Sequence, residues 1–170
     1  MPAALRLSPP TEVLSDPVRE PVLKKLIEAQ YAPADGLSNR PSENKLLVAL
    51  FGDPLGSEWS TVLQRADGIQ KFVVEEESSP GEWVPIGAMG FSKAGSIVPW
   101  IAEKYRGKGR SRASRASRLL GDKMFDAYLE GAVPTGRVNL QKKDAIAHLF
   151  NVINCQIEER SKGAAPYDGS

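Results

Sequence analysis

The chain has 170 residues, 41% of them hydrophobic and 25% charged, with a formal charge of +1. These are ordinary values for a folded domain and exclude wholesale disorder, a long membrane-type apolar run and a global pull toward nucleic acid. One cysteine, Cys155, and one histidine, His148, exclude an internal disulfide and a cysteine/histidine zinc cluster, and argue against Ser-His-Asp or Cys-His catalysis.

The length fits a single domain over residues 1–160, with a loose, small-residue tail at 161–170. Residues 1–10 have neither the charged start nor the apolar stretch of a secretory signal, so a cytoplasmic setting is expected. Weak alternation at 3–7 predicts a first strand, ended by Pro9-Pro10. Val18, Val22, Leu23, Leu26, Ile27 and Tyr31 then recur at helical spacing. Pro21 must lie in the first turn of that helix, which places its start near Arg19 or Glu20. Residues 32–40 read as a loop, and 42–52 as a helix between a Ser42 cap and a Gly52 stop.

The centre reads as an antiparallel meander. Asp67-Gly68 predicts a hairpin between strands at 59–64 and 69–75, and residues 78–81 a second hairpin to 83–91. A turn at Ala94-Gly95 leads into a strand at 96–102, where Pro99 predicts a bulge or a partly unpaired edge. Ala113, Ala116, Ser117, Leu120, Met124, Ala127 and Tyr128 share one face of a long helix, with Arg115 and Arg118 opposite. Further on, 137–140 is a strand candidate, 144–152 a short helix and 156–158 a final strand.

The junction between the strand at 96–102 and the long helix carries Arg106, Gly107, Lys108, Gly109, Arg110 and Ser111. Outward-facing amides at a helix start attract anions, glycines let a ligand approach the backbone, and the three cations add full charge. That pattern suits a pyrophosphate. A basic helix start exposed to water is the competing reading.

The run 101–111 resembles the acyl-CoA signature of the GNAT family of N-acetyltransferases, and 143–155 resembles that family's second block, a short helix followed by a turn, with Leu149-Phe150 in the helix and Asn154-Cys155 at the turn. The resemblance implies an α/β (α+β) fold of the acyl-CoA N-acyltransferase type, a mixed, mostly antiparallel central sheet flanked by helices. It also implies acetyl-CoA as co-substrate, held by residues 106–111, with Trp100, Ile101 and Phe150 lining the cleft beside a splayed fourth strand. The acceptor is an amine on a small molecule or protein. Phe150 stands where many members carry a tyrosine that protonates the leaving thiolate, Lys143 replaces an asparagine, and no seventh strand is evident.

Acyl transfer needs an oriented thioester, a deprotonated amine and donors for the developing oxyanion. Glu75, Glu76, Glu77 and Glu103 are the candidate bases, with a solvated strand end as the other reading of the 75–77 run. Two further functions stay open. One is a degenerate acetyltransferase-like interaction module; the other is nucleic-acid contact through Arg110, Arg112, Arg115 and Arg118. No metal site is expected, and oligomeric state stays open.

Overall fold

The computed structural model describes residues 3–31, 47–52, 59–65, 68–106, 111–131 and 147–164. A four-stranded antiparallel sheet runs in the order β1 (Leu5–Ser8), β2 (Ile69–Ser79), β3 (Glu82–Ser92) and β4 (Ile97–Ile101). It is antiparallel throughout the described residues, whereas a mixed sheet was expected; the strand candidate 137–140 lies outside them.

Helices cover both faces. Successive strand residues point to opposite sides, so Val73 faces one layer and Val74 the other. On the first face pack α1 (Pro10–Leu14), α2 (Arg19–Tyr31), the helical residues 47–51 and α3 (Trp59–Gln64). Their Val13, Leu23, Ile27, Leu50, Phe51 and Leu63 bury Val73, Ala88 and Trp100. On the second face lie α4 (Ser111–Leu129) and α5 (Ala147–Ala164), whose Leu120, Met124, Leu149, Ile153 and Ile157 cover Val74, Met89 and Ile101.

Local chemistry explains the entries. Pro9 and Pro10 end β1 and also start α1, because a proline at the first helical position gives up an N–H that would be unpaired anyway. Asp16 caps the approach to α2: its Oδ1 accepts the N–H groups of Val18 (2.8 Å) and Arg19 (3.2 Å). The expected start of α2 at Arg19 is observed, and Gly52 at φ +74° ends residues 47–51 as expected.

Three expectations are corrected. Residues 59–64 form helix α3, because Trp59 and Leu63, four apart, both turn into the first core; a short apolar run leaves strand and helix undecided until its neighbours are known. Residues 156–158 are helical, within α5. Leu149, Ile153 and Ile157 form one buried stripe of α5 packed against α4, each contributing about 2 kcal/mol of burial, and α5 continues through Ala164 into the segment expected to be loose. Pro99 sits opposite Met89 without a shift in register, so there is no bulge, but β4 is the edge strand of the sheet among the described residues, which meets the other half of that expectation. The irregularities fall instead between β2 and β3, at Val74/Glu75 and Glu77/Ser79, the first beside Pro85, which like Pro99 has no N–H to donate.

Candidate functional site

The site is built where β4 hands over to α4. Ala102 continues the β4 pairing by donating its N–H to Ile86 O (2.8 Å), and Glu103–Tyr105 then forms a 3-10 turn, so the strand does not run straight into the helix. Arg106 closes the turn, its Nε donating to Ile101 O at 2.7 Å. Gly107, Lys108, Gly109 and Arg110 lie outside the described residues, as does Lys143. Ser111 is the first residue of α4, and Phe150 belongs to α5 near its start. Asn154 and Cys155 stand in mid-α5, so the turn expected there is absent.

Trp100 and Ile101 face opposite layers. Trp100 is buried edge-on against Phe51, ring centroids 5.5 Å apart, and its Nε1 has no hydrogen-bond partner among the described residues. Ile101 is buried with α4 and α5. Beside the end of β4, a pocket of about 340 Å³ opens between α2 and the turn, lined by Leu26, Ala29, Gln30, Ala102, Glu103 and Lys104. Glu103 is exposed at its rim.

Glu75 is sealed from water and Glu76 mostly so, and each is tied to arginine. Register opposes Arg6 to Glu75 across β1 and β2. The Glu75 side chain is fully buried, and its Oε1 accepts from Arg6 Nε (3.1 Å), Ser8 Oγ (2.5 Å) and Arg19 Nη1 (2.8 Å). Burial works against the charge of Arg19, but its hydrogen bonds to Asp16 and Glu75 outweigh that and raise its pKa. Glu76 points to the other face. It takes a forked pair of bonds from Arg112 of α4, Nε to Oε2 at 2.6 Å and Nη2 to Oε1 at 3.1 Å, which raise the arginine's pKa.

The arginine face of α4 is likewise tied into the chain. Arg112 Nη1 donates to Tyr105 O (2.8 Å), Arg115 Nη1 to Ala3 O (2.6 Å), and Arg118 pairs with Glu159 of α5 at 3.0 Å. The Arg112 contacts brace α4 against β2 and the turn, whereas Arg118–Glu159 is a surface pair with both side chains at least half exposed. Sequence reasoning missed Arg6, Ser8 and Arg19, whose meeting with Glu75 depends on the pairing of β1 with β2 and on the packing of α2. It also missed a groove of about 600 Å³ between residues 16–19 and the β2–β3 hairpin, where Arg6 stacks 4.2 Å from the Trp83 ring.

Among the described residues no three His, Cys, Asp or Glu side chains group to hold a metal, and no helix is long and apolar enough to cross a membrane. No family model, curated protein or solved structure matches the chain.

Proposed function

We propose that the chain is an acyl-CoA-dependent N-acyltransferase that moves an acetyl group from acetyl-CoA to an amine. The observation that carries this reading is the order of parts around the β4–α4 junction. A strand at the edge of the sheet among the described residues, Ile97–Ile101, precedes the Arg-Gly-Lys-Gly-Arg-Ser sequence, and a long helix starts at Ser111 on the face opposite α2. In this reading the pyrophosphate meets the backbone of residues 106–111, where the helix end supplies partial positive charge. The 340 Å³ pocket at the end of β4 offers the acceptor a place next to the thioester.

The chain's own residues divide the work. Glu75 and Glu76 are held by arginines and Glu77 accepts the N–H of Gly81 in the β2–β3 turn (3.2 Å), which leaves Glu103, exposed on the pocket rim, as the carboxylate that takes the amine proton directly or through one water. Phe150 cannot donate a proton, so thiolate departure relies on solvent and on orientation of the reactants. The same residue favours the second reading, an acetyltransferase-like module without catalysis.

Calorimetry with acetyl-CoA separates the two. We expect saturable binding with a rise in melting temperature, and Gly109→Asp to weaken it at least tenfold, equivalent to about 1.4 kcal/mol, because a carboxylate would face the pyrophosphate. No thermal response to millimolar acetyl-CoA removes the cofactor claim. Binding without acetyl transfer to any amine leaves the interaction module.

A further inference from the structure

We infer that the groove of about 600 Å³ between residues 16–19 and the β2–β3 hairpin docks a basic peptide, one that carries arginine or lysine beside an apolar residue. This goes beyond the acyl-CoA reading and does not rest on it. Arg19, the first residue of α2, lines the groove, whereas Leu26, Ala29 and Gln30 of the same helix line the smaller pocket by β4. At a rise of 1.5 Å per residue the two sites stand about 10–15 Å apart along α2. They share no lining residue.

The walls and the charges of the groove both fit such an occupant. Val18 is 72% exposed, more than any other large hydrophobic side chain among the described residues, and the half-buried Trp83 ring lines the same groove, fixed by the Arg6 guanidinium 4.2 Å from its centre. Long basic side chains lay an apolar stem on surface of this kind and carry the charge at the tip. Arg6 and Arg19 line the groove as well, but their charge is already matched. The three nitrogens of Arg19 bond the carboxylates of Asp16 (2.7 Å), Glu75 (2.8 Å) and Glu12 (3.3 Å), and Arg6 Nε bonds Glu75 at 3.1 Å. Glu82 brings a further carboxylate, held by Ser79 Oγ at 2.7 Å and in no ion pair among the described residues. Two guanidiniums therefore stand among four carboxylates, and the excess negative charge attracts a basic segment and repels an acidic one. The volume lies in the range that encloses a drug-sized molecule, which suits a few residues of peptide better than a lone ion.

The test titrates the full chain, without acetyl-CoA, with a short capped peptide of alternating arginine and valine, the same peptide with glutamate for arginine, and free arginine amide. Calorimetry gives the affinities. Trp59 and Trp100 are buried, so a change in tryptophan fluorescence reports on Trp83. We expect saturable binding of the arginine peptide, weaker at high salt, and none of the glutamate peptide. Glu82→Lys should weaken it about fivefold, the upper range for one exposed ion pair. Val18→Lys, which sets a cation on the rim in place of the apolar side chain, should do at least as much. Trp83→Phe should remove the fluorescence change. The inference is overturned if the arginine peptide does not bind, if the glutamate peptide or arginine amide binds as tightly, or if the fluorescence change survives Trp83→Phe. Unchanged affinity in both lysine variants overturns it too. Should Glu82→Lys fail to fold, Val18→Lys decides in its place, and the comparison of probes on the wild type decides independently of either. None of these outcomes bears on acetyl-CoA binding, so this inference and the acyltransferase reading fail separately.

Discussion

Glu75 and Glu76 are neighbours in β2, yet one belongs to the interior of the N-terminal helical layer and the other to the edge of the β4–α4 junction. Strand alternation sends their side chains to opposite faces. Glu75 has no exposed side-chain surface and is held by Arg6, Arg19 and Ser8, which tie β1 and α2 to the sheet. Glu76 keeps some contact with water and has one arginine, which in turn holds a turn. Two carboxylates of the same type one residue apart thus have different jobs, decided by what is packed above them. The sealed one holds the layers together, and the wetter one braces the start of α4.

The difference can be broken first at its buried end. Glu75→Ala leaves Arg6 and Arg19 facing each other without their shared carboxylate, and should cost about 3 kcal/mol in urea unfolding. A cost below about 1 kcal/mol would mean that water enters and replaces the carboxylate, and would remove the contrast. Glu76→Gln sharpens the comparison from the other side. With both partners partly exposed, it should cost about 1 kcal/mol or less in the same measurement. A larger loss would put Glu76 in the same class as Glu75.

The smallest effect is expected at the rim of the buried cluster. Asp16 has its pKa lowered, first by the backbone N–H of Val18 and then by the side chain and N–H of Arg19. A carboxylate lowered in the folded state adds stability that is present above its unfolded pKa, about 3.9, and is lost as pH falls through the lower folded value. Asp16→Asn keeps an acceptor for the helix amides but does not titrate. Melting temperatures followed from pH 7 down to pH 2 should therefore fall less steeply below about pH 4 in the variant. Equal slopes would show that Asp16 takes no part in acid unfolding.

Much of the architecture was legible in the residues because it rests on local rules. Helix α4 was readable over its full length, since small and apolar residues recur along one face from Ala113 to Tyr128. The β2–β3 hairpin was readable from the Ser-Ser-Pro-Gly sequence between two apolar runs. Where the pattern was short, it misled. Trp59–Gln64 has too few residues to separate a period of two from one of 3.6, and α5 extends past Val152 because Ile153 and Ile157 find α4, with Gln156 Nε2 bonding Asp122 at 2.8 Å. Gly121 lets the two helices approach: a Cβ there would meet Ile153 O at 3.0 Å, a contact known only once both helices are placed.

What the sequence determined alone was the list of elements with strong periodicity, the helix entries and stops at Arg19 and Gly52, and the concentration of glycine and positive charge between β4 and α4. These follow from backbone sterics and from side-chain spacing along one segment, which need no partner. The tertiary structure decided the fate of the charges. Whether Glu75 is solvated or sealed, and whether Arg112, Arg115 and Arg118 face water or brace the chain, depends on pairs 36 to 112 residues apart in sequence. A salt bridge across such a distance exists only after strand register and helix packing bring its ends together, because charge attraction in water is too weak to specify the meeting in advance.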